Sequence, residues 1–164
     1  MIRINPYPKE GILLIIQSYS AEDFQACVRL FIQVFRQPPW KDRWNEADAA
    51  CYLSNYIHTP GFRGIVAKEG DRVHGLIFGF RKRWWSGDEF YIHEMCVDSG
   101  LQRTGTGTEM LRHLENTLKD ESVSRITLLT DRGIAAEDFY RANGFEEIER
   151  LIFMNKELGE GNIR

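Results

Sequence analysis

The chain has 164 residues, enough to bury one core, and its 43% hydrophobic and 27% charged residues are the balance of a soluble globular protein. Its formal net charge of -3 argues against nucleic acid as a main partner. No apolar run approaches the ~20 residues of a membrane span, the N-terminus lacks a secretory-signal pattern, and Cys27, Cys51 and Cys96 are scattered without C-x-x-C spacing. Together these features predict a cytoplasmic protein with reduced thiols.

Gly11 to Tyr19 is rich in β-branched and apolar residues and predicts an early strand. Ser20 with Asp23 three residues on forms a capping-box pattern. Phe24, Cys27, Val28, Phe31, Val34 and Phe35 follow at helical spacing, and Pro38-Pro39 ends that helix. Asn45 is placed to cap a second helix through Asp48 to Ile57, stopped by His58-Thr59-Pro60-Gly61. Three strands are predicted next, at Phe62 to Lys68, Val73 to Arg83 and Glu89 to Val97, with tight turns at Glu69-Gly70-Asp71 and Ser86-Gly87-Asp88. Gly75 and Gly79 inside the second strand predict a bulge or a close backbone approach.

The next stretch organises the chain. Met95 to Leu118 runs from apolar strand through a glycine-containing loop into an amphipathic helix, whose Met110, Leu111, Leu114 and Leu118 share one face. The loop is Gln102-Arg103-Thr104-Gly105-Thr106-Gly107-Thr108. Gly105 and Gly107 carry no Cβ, so the backbone can turn sharply and a ligand can come close. The first N–H groups of a helix have no intrahelical acceptor, and with the dipole and Arg103 they form an anion site. A P-loop would need a lysine that is absent here, and a dinucleotide fingerprint would need glycine where Met110 stands. After this helix, Arg125 to Thr130 predicts a strand parallel to the one before it. Ala135 to Asn143 predicts a short helix with Gly144 at C′, Phe145 to Asn155 a last strand, and 156–164 a polar tail. No composition break marks a second domain, so 1–164 reads as one domain with its core over about 11–155.

Q-R-T-G-T-G matches the Q/R-x-x-G-x-G/A signature of the GNAT acyltransferase superfamily, and A-A-E-D-F-Y-R-A-N-G-F at Ala135 to Phe145 matches a second element of it. The chain resembles that family from Ile12 to Phe153, with the element order β-α-α-β-β-β-α-β-α-β. The resemblance implies an α/β fold, a mixed twisted sheet of about six to seven strands with helices on both faces. It also implies that the loop from Gln102 to Thr108 holds the pyrophosphate of acetyl-coenzyme A. Two parallel strands would splay apart and leave backbone groups of Met95, Cys96 and Val97 for the pantetheine arm, since unpaired peptide groups need a partner.

Acetyl transfer to an amine needs a base for the ammonium and stabilisation of the leaving thiolate. The resemblance places Tyr140 beside the coenzyme sulfur as the acid; a phenol's pKa near ~10 suits that role. Its alternative is a packed aromatic beside Phe139 and Phe145. Glu94, just before the cofactor loop, is the first candidate base and His93 the second. Strand alternation would put them on opposite faces, so that only one faces the acceptor. Trp40, Trp44, Trp84 and Trp85, interleaved with Asp42, Glu46, Asp48 and Asp88, suit a cationic substrate, or else they pack a sheet edge or a homodimer interface. His74 and His113 lack partners at metal spacing, and no metal is expected. The region around Phe35-x-x-x-Pro39-Trp40 and the H-E-M-C-V-D strand resembles the aminoglycoside N-acetyltransferase-like branch. The expected activity is therefore N-acetylation of a small-molecule amine. A coenzyme-binding sensor without turnover and a protein or peptide N-acetyltransferase are the alternatives.

Overall fold

The computed structural model describes residues 2–4 and 13–158. Residues 11 and 12 of the expected first strand, and 159–164 of the expected tail, lie outside them. The chain divides into two compact units, Met1–Thr130 and Asp131–Arg164.

The first unit is built on a six-stranded sheet in the order β1-β2-β3-β4-β5-β6. Its strands are β1 (Ile2–Ile4), β2 (Leu14–Ser18), β3 (Phe62–Glu69), β4 (Arg72–Lys82), β5 (Asp88–Val97) and β6 (Val123–Leu128). Neighbours pair antiparallel except β5 and β6, which run parallel, as a crossover helix between them requires. The strand β1 was not anticipated: three residues carry too little pattern to be read.

Two helices, α1 (Phe24–Phe35) and α2 (Glu46–Ile57), cover one face of the sheet. Cys27, Val28, Phe31 and Leu53 from them form a core with Val66, Leu76, Phe78 and Cys96 from the strands. The predicted capping pair closes the 3-10 turn Ala21–Asp23 that leads into α1, with Ser20 N–H donating to Asp23 Oδ2 at 2.9 Å. Asp23 is only 3% exposed, and Lys68 from β3 pairs with its other oxygen, so the cap also ties helix to sheet. Asn45 caps α2 by accepting from Asp48 N–H at 2.8 Å. The helix α3 (Thr106–Asp120) lies on the opposite face, with Met110, Leu111, Leu114 and Leu118 buried. It approaches closely at Gly75, where a Cβ would stand 2.6 Å from Met110 Sδ. No helix among the described residues is long and apolar enough to cross a membrane.

The second unit holds α4 (Ala135–Ala142). Gly144 takes φ +83 as predicted, and the N–H groups of Gly144 and Phe145 bond back to Arg141 and Tyr140 carbonyls, at 3.1 Å each. That pair of bonds is a Schellman ending. Phe145 to Asn155 is not a strand, contrary to the expectation. A turn closed by Leu151 N–H on Ile148 O at 3.0 Å interrupts the run. Ile152 and Phe153 are 78% and 82% exposed. Apolar composition alone supplied no ladder partner, and a strand needs one.

The β4–β5 ladder steps from Phe78 opposite Glu94 to Gly79 opposite Ile92. Gly79 fits there because a Cβ would stand 2.4 Å from Tyr91 O and 2.6 Å from Phe90 Cε1. The backbone atom cannot swing aside as a side chain can, so Gly79→Ala should force the two strands apart. We expect a loss of about 1–3 kcal/mol, measured by urea titration; an unchanged midpoint would contradict this account of the ladder.

Candidate active site

The register step at Gly79 decides where two candidate bases point. His93 is the extra residue of a β-bulge: its neighbours Ile92 and Glu94 have partners on β4 and it has none there. Strict alternation therefore fails at this point. The expectation that His93 and Glu94 lie on opposite faces is corrected: both side chains meet α2. Tyr52 and Tyr56 stand four residues apart on that helix. Tyr52 Oη donates to Glu94 Oε1. Tyr56 stacks on the His93 ring with centroids 4.3 Å apart.

The environments of the two differ. His93 is held among rings, with Phe80 stacked at 5.1 Å and the Tyr91 edge at 4.6 Å, and burial lowers its pKa. Glu94 meets one donor and no cation among the described residues. Burial pushes its carboxyl up to about 7; the bond from Tyr52 acts against the rise, and the Asp42 charge adds to it. A carboxylate with that pKa is a stronger base at neutral pH than an exposed one.

Sequence reasoning missed Tyr52, Tyr56 and Tyr91 as parts of this wall. Their signal was present in part, since Tyr52 and Tyr56 share a helix face by spacing alone. Nothing in the sequence says that this face meets a bulged strand.

On the other edge of β5 the ladder with β6 ends at Ile92 opposite Leu128, while β5 runs on to Val97. Along that edge His93 to Val97 have no strand partner among the described residues. This is the divergence of parallel strands that the family resemblance implies, and the stretch includes Met95, Cys96 and Val97. Gln102 Nε2 reaches back to Val97 O at 3.2 Å, and the Cys96 side chain is buried in the core.

The loop after β5 is set by Asp98, whose Oδ1 accepts from Gly100 N–H at 3.1 Å. Asp98 N–H donates to His74 O at 2.7 Å, which ties the loop to β4. Arg103 and Gly105 both have positive φ, +62 and +90, and so turn the chain into α3. Thr104 Oγ1 donates to Leu101 O at 2.7 Å and lies 2.9 Å from Thr106 Oγ1. Thr106, Gly107 and Thr108 are then the first three residues of α3, and their N–H groups have no intrahelical acceptor. Arg103 is exposed and makes no ion pair among the described residues. A diphosphate fits this loop: it offers free amide donors, a dipole end, an unpaired guanidinium and no side chain at Gly105 or Gly107.

The four tryptophans do not form one wall. Trp44 packs on Phe31 and Tyr52, at 5.4 and 4.9 Å, and its Nε1 donates to Asp42 Oδ2 at 3.1 Å. Trp40 meets Phe35 edge-on, with centroids 5.1 Å apart. Trp84 and Trp85 stand at the β4–β5 turn and make no ring contact with that cluster among the described residues; Trp85 is 89% exposed. Tyr140 lies in α4 of the second unit, with its ring against Phe139 and Phe145 at 5.3 and 5.4 Å. Among the described residues no cluster of three or more His, Cys, Asp or Glu side chains could hold a metal ion. All three cysteines are free thiols; Cys27 and Cys96 are buried and Cys51 is exposed.

A sequence-family model described as "Acetyltransferase (GNAT) family" matches residues 24–145. No curated protein matches the sequence. Among solved structures, an integron cassette protein from the mobile metagenome of V. cholerae superposes with TM-score 0.74 at 22% identity, over 91% of this chain and 93% of that one. An aminoglycoside acetyltransferase from an uncultured soil metagenomic sample, in complex with sisomicin, superposes with TM-score 0.70 at 18% identity, over 88% and 96%. Aminoglycoside N-acetyltransferase AAC(6')-Iy in complex with CoA gives TM-score 0.71 at 13% identity, over 92% and 99%.

The raised Glu94 carboxyl has a consequence for stability. Its folded pKa of about 7 lies above the ordinary 4.5, so the fold retains a proton that the unfolded chain releases. Its contribution is fully present below pH 4.5 and lost as pH rises through 7. Glu94→Gln keeps the shape and removes that loss. Thermal unfolding should show the variant more stable than wild type at pH 8, by ~1–3 kcal/mol, with the difference vanishing at low pH. Equal stabilities at both pH values would show that Glu94 titrates as an exposed carboxylate.

Proposed function

The chain belongs to the GNAT acetyltransferase family, and from that premise we propose that it moves the acetyl group of acetyl-coenzyme A to a primary amine of a small molecule by direct attack. The observation that carries this reading is the β5 edge from His93 to Val97, which has no strand partner among the described residues and is followed along the chain by the amide-rich N-terminus of α3. Glu94 lies within that stretch.

In this reading Thr106, Gly107 and Thr108 donate backbone N–H groups to the pyrophosphate, with Arg103 adding charge and Gln102 and Thr104 shaping the loop. Met95, Cys96 and Val97 offer peptide groups to the amide-containing arm. Bound acetyl-coenzyme A supplies an acyl thioester whose carbonyl carbon the amine attacks. The chain's own groups manage protons. Glu94 takes the proton from the ammonium, because only the neutral amine has a lone pair. Its partial desolvation makes it basic enough to do so near neutral pH. His93, pressed between Tyr56 and Phe80, serves better as a wall of the acceptor site than as the base. Tyr140 is assigned as the acid that protonates the departing thiolate, on the match of its segment to the family.

The acceptor is a cation. Asp42, Glu94, Trp44 and the rings of Tyr52, Tyr56 and Tyr91 lie on the side of β5 where it would enter, and aromatic faces with carboxylates favour an ammonium. Trp40 sits beside this cluster, whereas Trp84 and Trp85 would contribute only at an outer rim. An aminoglycoside is the first class to test, since two of the similar structures are aminoglycoside acetyltransferases. We read 1–164 as one domain acting in the cytoplasm without nucleic acid, membrane or metal, and leave a homodimer open.

The test is to mix the protein with acetyl-coenzyme A and a panel of aminoglycosides, polyamines and amino acids, and to follow free thiol. Thiol release that depends on one amine class is expected. Coenzyme binding without thiol release for any amine would instead establish a sensor. In the active reaction, Tyr140→Phe should lower kcat while leaving coenzyme affinity unchanged. Equal rates for variant and wild type across the pH range would remove Tyr140 from the proton inventory.

A further inference from the structure

Glu94 is held from one side only. Tyr52 Oη donates to Oε1. The second oxygen, Oε2, accepts no hydrogen bond among the described residues. Nor is it sealed: the only fully enclosed side-chain N or O atoms without a hydrogen-bond partner, among the described residues, are the two ring nitrogens of His74. Oε2 therefore keeps access to solvent. The last torsion of a glutamate is broad, so an untethered carboxylate would swing over a wide arc.

We propose that Tyr52 is the positioning residue for the base: its hydroxyl pins Glu94 Oε1 so that Oε2 is presented to the acceptor amine. This rests on the reading of Glu94 as the base. Tyr52 can hold a fixed point because its own ring is packed on three sides, by Phe31 at 5.6 Å, Trp44 at 4.9 Å and Tyr56 at 5.0 Å. Trp44 is itself anchored through Nε1 to Asp42. Four rings and one hydroxyl thus convert the position of α2 into the position of one carboxylate oxygen. The phenol remains a donor throughout the working range, because burial and the bond to Glu94 push its pKa far upward.

The titratable groups around Glu94 are few. Tyr52 and Tyr56 face it from α2, Asp42 from the segment before α2, and Tyr91, His93 and Cys96 from its own strand. Phe78 stands opposite on β4 and carries no charge. Of the protein groups that act on the Glu94 proton, Tyr52 lowers its affinity and Asp42 raises it. Losing the hydroxyl must therefore make the carboxylate more basic and less well aimed at once.

Tyr52→Phe removes that one oxygen and keeps the ring contacts. The carboxyl resonance of Glu94, assigned by comparison with Glu94→Gln in protein labelled with 13C-glutamate, should titrate about one pH unit higher in Tyr52→Phe than in wild type. This readout needs no turnover. In the thiol assay, the acid limb of kcat/KM should move up by the same amount, and kcat on the high-pH plateau should fall about tenfold with KM for the coenzyme unchanged. An unaltered Glu94 titration in the variant overturns the proposal, even if the rate falls. If wild type releases no thiol with any amine, the base assignment fails, and the titration still decides whether Tyr52 holds the carboxylate.

Discussion

The parallel ladder between β5 and β6 stops at Ile92 and Leu128, and the site follows from that stop. A strand buried on both faces normally has both edges paired, because an unsatisfied peptide group away from water costs about 1–3 kcal/mol. Here β5 keeps β4 along one edge and runs on for five more residues with no strand partner on the other among the described residues. Past β5 a loop tied to Val97 O by Gln102 leads into α3, whose first amides a helix cannot satisfy. The strand edge without a strand partner and the first turn of α3 thus follow one another along the chain. A ligand with amides at one end and a diphosphate further along matches their order.

The second constraint is the bulge at His93. One extra residue turns two neighbouring side chains toward the same helix, where a regular strand would have sent one of them away. Glu94 gains Tyr52 and His93 gains Tyr56 from a single pair of tyrosines one helical turn apart. The cost is crowding, which Gly79 relieves on β4 by having no side chain to meet Tyr91 O. Glu94, turned toward α2, is buried there, and burial raises its proton affinity. Bulge, glycine, aromatic wall and basic carboxylate are consequences of one register step.

Much of this was legible in the sequence where periodicity and local chemistry decide the outcome. The helix spacing from Phe24 to Phe35, the Asn45 cap, the parallel pairing of β6 and the glycine at the end of α4 all appear where they were read. The turn from Gln102 to Thr108 into α3 was also readable, because it needs only small residues ahead of an amphipathic helix. Other parts depend on registers that no single segment encodes. Glycines at 75 and 79 announced a bulge or a close approach, and Gly79 lies at the register step while Gly75 receives Met110. Which residue would become the extra one on β5 was set by the pairing of two strands, so alternation misled for His93. The apolar run after Ile148 had strand composition and forms no strand among the described residues. The tryptophans shared a composition, yet Trp44 was drawn into the α1–α2 core and Trp85 left at a turn.

The central claim is that the free edge of β5 and the first turn of α3 together receive coenzyme A. Titrating 15N-labelled protein with coenzyme A and following the backbone amides tests it most directly. The account predicts large shifts at Thr106, Gly107 and Thr108 and along His93 to Val97, saturating together at one stoichiometric site. Shifts confined to another surface, or no shifts at all in a folded protein, would contradict it.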